Sequence, residues 1–234
     1  LPARQSAKYR QAPVRATAAS QPDIYYIILD GYARSDVMRE LFGFDNSAFL
    51  DRLEAKGFYI AREANANYCQ TPLSLASSLN FEYLDAIVRD LGTDQTELRD
   101  RILHNHLVET LRPLGYRFTT FSTGFTPTEL SDADIHHSPY PQFTEFQRML
   151  IDRTPVWAML TLAEHRDLFT QSRDRTLHLL DRLPSLAKTP HPTLAFAHIV
   201  CPHPPFLFGP NGEDVSRRDE KHYLSDGTRF HGMA

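Results

Sequence analysis

The chain has 234 residues, 41% of them hydrophobic, which is enough to bury one sizeable core. Its formal net charge at pH 7 is −4, so electrostatics give no case for nucleic acid as the main partner. Its two cysteines, Cys69 and Cys201, form no Cys-x-x-Cys pair, which excludes a zinc ribbon and a thioredoxin-type motif and leaves a single disulfide open.

Residues 1–22 are predicted to form a flexible basic linker. They contain four basic residues and no acidic one, and they are rich in Ala, Gln, Ser and Pro. Two interpretations remain open: a basic stretch beside an upstream membrane anchor, and an ordinary solvated linker. The chain begins with Leu and lacks the apolar region of a signal peptide, so we expect a targeting segment, if there is one, to lie upstream.

Residues 23–234 predict strands that alternate with helices. Strands are expected at residues 24–30, 58–61, 116–121 and 193–200, and helices at 35–41, 47–57, from 71 onward, at 104–113 and within 142–183. This alternation predicts an α/β sandwich with a mostly parallel central sheet. Functional residues of such sheets lie just beyond the carboxyl ends of the strands. The rule points to Asp30, to Ser122 and Thr123, and to residues 198–203.

Asp30 ends the first apolar strand and is followed by Gly31. A carboxylate in that position can bind a divalent cation, and Gly31 permits a tight turn and the close approach of a ligand. The same Asp-Gly pair is also a common turn signal, so a purely structural role remains an alternative.

Thr71 and Pro72 predict a helix start, with Thr71 as the N-cap and Pro72 in the first helical position. A hydroxyl at a helix N-terminus lies among unpaired N–H groups, where a phosphate or sulfate is favoured. A neighbouring metal would lower the pKa of that hydroxyl and make it a nucleophile. Simple capping explains the residue equally well.

Histidines provide the remaining candidates. His198 and His203 bracket the end of the last predicted strand, where an imidazole can hold an anionic oxygen or a metal. The alternative for this pair is a core histidine and a loop histidine. The pairs His104/His106 and His136/His137 lack a recognisable ligand spacing, and we expect both at the surface.

Three segments together resemble the sulfatase-like branch of the alkaline-phosphatase superfamily. They read YYIILDG, NYCQTPLSLASSLN and HIVCPHPPF, and the resemblance covers roughly residues 22–210. Within that branch the chain resembles membrane-anchored bacterial envelope proteins, including phosphoethanolamine transferases and lipoteichoic-acid synthases.

The resemblance implies an alkaline-phosphatase-like fold with Asp30 as a metal ligand and Thr71 as both nucleophile and metal ligand. It also implies His198 and His203 as substrate-binding residues and Zn²⁺ or Mn²⁺, or else Ca²⁺ or Mg²⁺, as the metal. The substrate would be a phosphate or sulfate ester, handled at the extracytoplasmic face of a bacterial inner membrane. Cys69 is not followed by the Pro-Ser-Arg pattern of cysteine-type sulfatases, which favours Thr71.

The family completes its metal site with a later Asp-His or Asp-Asn pair that follows another strand. The residues after His203 are mostly polar, and no apolar strand precedes Asp226 or His231. We therefore expect residues 23–234 to be the N-terminal part of a catalytic domain, incomplete at its C-terminus and with little activity alone. The competing hypothesis is a non-catalytic, envelope-associated binding or scaffold domain without a complete metal site.

Overall fold

The computed structural model describes residues 21–85, 96–140, 168–204 and 206–215. In chain order these residues form β1 (Ile24–Leu29), α1 (Ser35–Phe42), α2 (Ser47–Ala55), α3 (Thr71–Ser78), α4 (Thr96–Leu103), α5 (His106–Leu111), β2 (Arg117–Phe121), β3 (Ile135–His137), α6 (Leu168–Arg182) and β4 (Thr193–Ile199). Short 3₁₀ helices occupy Arg112–Leu114, Thr126–Thr128 and Leu183–Lys188.

The strands form one parallel sheet in the order β1-β4-β2-β3. β4 lies between β1 and β2, and every one of its residues is buried, as expected for a central strand of a parallel sheet. β1 lies at the edge, and its residues alternate between half-buried and exposed. The predicted α/β class with a mostly parallel sheet is therefore confirmed.

Helices cover both faces of this sheet. On one face α3, α4 and α5 pack against β1, β2 and β4; the buried members of that cluster are Leu75, Ala76, Leu79, Leu84, Leu98, Ile102, Val108, Tyr116, Phe118, Leu130, Leu194 and Phe196. On the other face α6 and the 3₁₀ helix after it bury a smaller cluster, which contains Phe121, Leu179, Leu186, Ala195, Ala197 and Ile199. The even-numbered residues of β1 and β4 face the larger cluster, so Asp30 and His198 lie on that side.

The prediction of a strand at residues 58–61 is wrong. Phe58 and Tyr59 are 61% and 91% exposed, and the segment pairs with no strand in the described part of the chain. An apolar run needs a neighbouring strand and a face to bury, and this one has neither.

The predicted helix at 104–113 is also corrected. One helix ends at Leu103, and a second begins at His106 after a break at Asn105. The side chain of Asn105 accepts the N–H of Val108 at 3.0 Å, so it caps the second helix. Within residues 142–183 the described helical part is Leu168–Arg182. The other helices predicted there, and residues 1–20 of the predicted linker, lie outside the described residues.

Candidate active site at the carboxyl end of the sheet

Asp30 and Gly31 form the exit of β1. The Asp30 N–H donates to the carbonyl of Ile199 at 2.9 Å, which extends the β1–β4 ladder by one residue. Gly31 has φ +77°, and a Cβ at this position would lie 3.3 Å from Cα of His203. The missing side chain therefore lets the loop after β4 close over the end of β1.

His198 lies in β4 beneath Asp30. Its Nε2 is 3.4 Å from Asp30 Oδ2, and the side chains of the two residues are 0% and 23% exposed. This distance is long for a hydrogen bond, and within the described residues Nε2 has no better partner. The sheet register that places His198 opposite Ile28 therefore brings a buried imidazole against a partly exposed carboxylate.

The surroundings of Asp30 favour its charged form. Burial raises the pKa of Asp30, but the facing His198 ring, the charge of His203 and the Gly31 N–H together outweigh burial and lower it. Asp30 is therefore an anion at neutral pH, with its exposed side open to a ligand.

Beyond His198, a chain of buried hydroxyl groups crosses to β2. Nδ1 of His198 is 2.9 Å from Thr128 Oγ1, which is 3.1 Å from Thr123 Oγ1. Thr123 Oγ1 in turn donates to Glu129 Oε2 at 3.3 Å. The carboxyl ends of β1, β4 and β2 are thus linked by one set of polar contacts.

Glu129 is the second carboxylate of this region. Its Oε2 accepts the backbone N–H groups of Thr123 and Gly124 at 2.9 and 2.8 Å, and its Oε1 lies 3.3 Å from Nε2 of His136. Burial raises the pKa of Glu129, but His136, Gly124, Ser122 and Thr123 bring it down to about 2. Glu129 is therefore a fixed internal anion.

His136 was expected at the surface, and that expectation is wrong. It lies in β3 with a side chain only 7% exposed, and its Nδ1 is 2.9 Å from Thr120 Oγ1. Its neighbour His137 stacks on Phe121 with ring centroids 5.2 Å apart. The sequence did not predict β3 or a role for Glu129, because residues 129–137 are mostly polar. Their contacts form only in the folded chain, where β2 lies beside β3.

The other predicted surface pair, His104 and His106, differs from this one. The His104 side chain is 70% exposed, as expected, and its Nδ1 lies 2.9 Å from Asp100 Oδ1. His106 is half-buried, with its ring edge-on to Phe81. Cys69 and Cys201 are both free thiols, so no disulfide joins them.

Thr71 is the first residue of α3, preceded by Gln70 in the N-cap position, so the predicted cap is displaced by one residue. α3 lies on the Asp30 side of the sheet, since Ser78 Oγ is 3.1 Å from the Tyr26 hydroxyl. Along the helix axis Thr71 is roughly 10 Å from Ser78. No hydrogen bond joins Thr71 to Asp30 among the described residues.

The structure thus brings Asp30, His198 and His203 together. His203 is exposed, and its backbone packs on Gly31. The oxygen and nitrogen donors of this group suit Zn²⁺ or Mn²⁺ chemically. Their number falls short, because the described ranges contain no group of three or more His, Cys, Asp or Glu residues placed to hold a metal ion.

Comparisons of the chain with protein-family models, with curated proteins and with solved structures found no match. In the part of the chain that the structure describes, no helix combines the length and the apolar character needed to cross a membrane.

Proposed function

We propose that this chain belongs to a metal-dependent hydrolase or transferase of phosphate or sulfate esters with an alkaline-phosphatase-like fold. The observation that carries the proposal is the pair of Asp30 and His198 at the carboxyl end of the parallel sheet. An anionic, 23% exposed carboxylate there is backed by a fully buried imidazole. Open α/β sheets place their ligands at this edge.

The proposed site gives each residue a role. Asp30 and the Thr71 hydroxyl would supply oxygen ligands to Zn²⁺ or Mn²⁺, and Thr71 is also the nucleophile. Thr71 attacks the phosphorus or sulfur atom, the alcohol of the ester leaves, and water or an acceptor alcohol then releases the group from Thr71. His203, exposed beside Gly31, steadies the anionic oxygens of the substrate. When bound, the metal would acidify the Thr71 hydroxyl and offset the charge of the substrate.

His198 takes a different role from the one that the resemblance implies. It is 1% exposed and its Nε2 faces Asp30, so it is suited to holding Asp30 rather than to reaching a substrate. The proposed substrate contact therefore rests on His203.

The test uses the full-length gene product with Zn²⁺ or Mn²⁺ and aryl phosphate monoesters, aryl phosphate diesters and aryl sulfates. Thr71→Ala is expected to lower turnover at least about 1,000-fold, because it removes the attacking oxygen. The matched control is Thr96→Ala, which also changes the first residue of an eight-residue helix and should keep full activity. Unchanged turnover in Thr71→Ala would exclude Thr71 as the nucleophile.

Asp30→Asn tests the metal site separately, by metal content after equilibrium dialysis. A neutral amide replaces the anionic ligand, so bound metal should fall well below that of the parent protein. Asp100→Asn is the control, because Asp100 is 69% exposed and its partner in the described part of the chain is His104, the residue just after its own helix. Equal metal content in Asp30→Asn and in the parent would remove Asp30 from the site.

A second function, non-catalytic binding or scaffolding at the envelope, is favoured by two observations. The described residues contain no complete metal-ligand group, and no hydrogen bond joins Thr71 to Asp30 among them. A full-length protein that binds no metal and turns over none of the esters would support this alternative.

We also propose that the protein works at the extracytoplasmic face of a bacterial inner membrane, next to an upstream anchor. The support is the resemblance together with four basic residues within the first fifteen positions. Fractionation of cells that express the full-length gene tests this: the protein should accompany the membrane, and an external protease should reach it once the outer layers are opened. Recovery in the cytosolic fraction would oppose the proposal.

A further inference from the structure

We infer that the hydroxyl group of Thr128 donates a hydrogen bond to Nδ1 of His198 and so fixes the ring proton on Nε2, where it faces Asp30. Thr128 is 0% exposed and His198 is 1% exposed, so water does not compete for this contact. The oxygen and the nitrogen are 2.9 Å apart, a normal hydrogen-bond distance.

The direction of this hydrogen bond follows from the other side of the ring. Nε2 has Asp30 Oδ2 at 3.4 Å and no other polar partner among the described residues. If Nε2 carried no proton, its lone pair would face an anionic oxygen in a buried place, which is unfavourable. A proton on Nε2 removes that repulsion and leaves Nδ1 of the neutral ring as an acceptor, which requires a donor. Thr128 supplies that donor.

The surroundings of Thr128 agree with this direction. Its hydroxyl has three polar neighbours: His198 Nδ1 at 2.9 Å, Thr123 Oγ1 at 3.1 Å and the Phe125 carbonyl at 3.3 Å. The nitrogen is the nearest. The Thr123 hydroxyl has two acceptor-only oxygens for its own proton, the Phe125 carbonyl at 3.2 Å and Glu129 Oε2 at 3.3 Å, and its oxygen accepts the N–H of Phe125.

The backbone holds the hydroxyl in place. Thr128 ends the 3₁₀ helix Thr126–Thr128, and its N–H donates to the Phe125 carbonyl at 2.9 Å. The Phe125 ring packs on the imidazole with centroids 6.3 Å apart. The turn therefore places both the Thr128 hydroxyl and the Phe125 ring against the buried ring of His198.

This makes Thr128 a positioning residue, since it acts through His198 and touches no proposed substrate. Its link to catalysis rests on the proposed function: a ring that donates to Asp30 orients the carboxylate that would hold the metal. Groups that orient a ligand in this way typically contribute 10–100-fold to metal affinity.

The inference is tested on the metal-free chain, labelled with ¹⁵N in its histidines, by ring proton–nitrogen correlation spectra at about pH 8, above the ordinary histidine range. Of the eleven histidines, the ring of His198 is assigned by the signals lost in His198→Gln. We expect the parent protein and Thr128→Ser to show a protonated Nε2 and a hydrogen-bonded, unprotonated Nδ1. Thr128→Val should lose that Nδ1 signature and populate both tautomers.

Thr119→Val is the matched control. Thr119 is a buried threonine of β2 whose hydroxyl has no hydrogen-bond partner among the described residues, so this variant should leave the His198 signals unchanged. A parent spectrum with the proton on Nδ1, or on both nitrogens, overturns the inference even if Thr128→Val does not fold. Unchanged signals in a folded Thr128→Val variant overturn it as well.

A second readout separates this inference from the proposed function. In full-length protein, Thr128→Val should weaken Zn²⁺ or Mn²⁺ binding about 10–100-fold, and Thr128→Ser should restore it. If the parent binds neither metal, the proposed function fails while the tautomer result stands. If the parent binds metal but shows the other tautomer, only the role of Thr128 fails.

Discussion

At the scale of single residues, the carboxylates of Asp30 and Glu129 differ in how many hydrogen-bond donors of the protein they already face. Glu129 receives two backbone N–H groups on one oxygen and faces His136 with the other. Its acceptor capacity is filled from within the protein. Asp30 faces one imidazole and the Gly31 N–H, so fewer of its acceptor positions are filled, although its side chain is no more exposed than that of Glu129 (23% against 27%). This difference is why Asp30, and not the more strongly held Glu129, is assigned to ligand binding.

Glu129→Gln should make the protein less stable at neutral pH and less sensitive to acid. The folded-state pKa of Glu129 is about 2, below the ordinary value of 4.5, so its stabilisation is present above pH 4.5 and is lost as the pH falls toward 2. One pKa unit is worth about 1.4 kcal/mol, so we expect a loss of about 2 kcal/mol once solvent screening of the carboxylate is included.

Urea unfolding between pH 7 and pH 3 measures this effect, with Glu109→Gln, a change of an exposed glutamate on α5, as the control. The free energy of unfolding of the parent should fall more steeply with acid than that of Glu129→Gln. Parallel pH profiles for the two proteins would show that Glu129 is not the group responsible.

At the scale of elements, two asparagines connect the helices on one face of the sheet. Asn80, just after α3, donates to the carbonyls of Ala76 and Arg101 and accepts the N–H of His106. Asn105 donates to the carbonyl of Ile102 and caps α5. These amides satisfy backbone groups that the helix ends leave unpaired, and so they fix how α3, α4 and α5 meet.

Asn105→Ala should destabilise the fold by about 2–3 kcal/mol. It removes an N-cap and leaves the Val108 N–H and the Ile102 carbonyl buried without partners. Asn46→Ala is the matched comparison, because Asn46 also precedes a helix and is buried but makes no side-chain cap. Urea unfolding should show the smaller loss for Asn46→Ala; equal losses would mean that capping is not the cause.

Short apolar runs in the sequence predicted three of the four strands of the described sheet. The strands at residues 24–30, 116–121 and 193–200 differ from the observed strands by a single residue at one end, because continuous apolar runs of this length suit a buried parallel sheet. β3 was missed, since a three-residue strand containing His136 and His137 has no apolar signal of its own. Asp30 was found from its place at a strand end, whereas the contacts of His198 with Thr128 depend on residues seventy positions apart.

At the scale of the whole molecule, burial is concentrated around β4. Its neighbours β1 and β2 bond to it on both sides, and both hydrophobic clusters include its residues. By contrast, α1 and α2 contain no buried residue. The site lies where these regions meet, because Asp30 follows β1 and leads into α1. A buried strand and a pair of helices without a buried residue therefore flank the proposed metal ligand.

Amide hydrogen exchange should be slow in the buried strand β4 and fast in the exposed helices α1 and α2. The amides of β4 are buried in the middle of the sheet and open only when the sheet itself opens, so they should exchange most slowly. Those of α1 and α2 need only a local opening that exposes little apolar surface, and they should exchange fastest among the described helices and strands. Exchange followed by mass spectrometry of peptides, scaled to the rates of the unfolded chain, measures both. Equal protection of residues 35–55 and of β4 would mean that α1 and α2 are held by contacts outside the described residues.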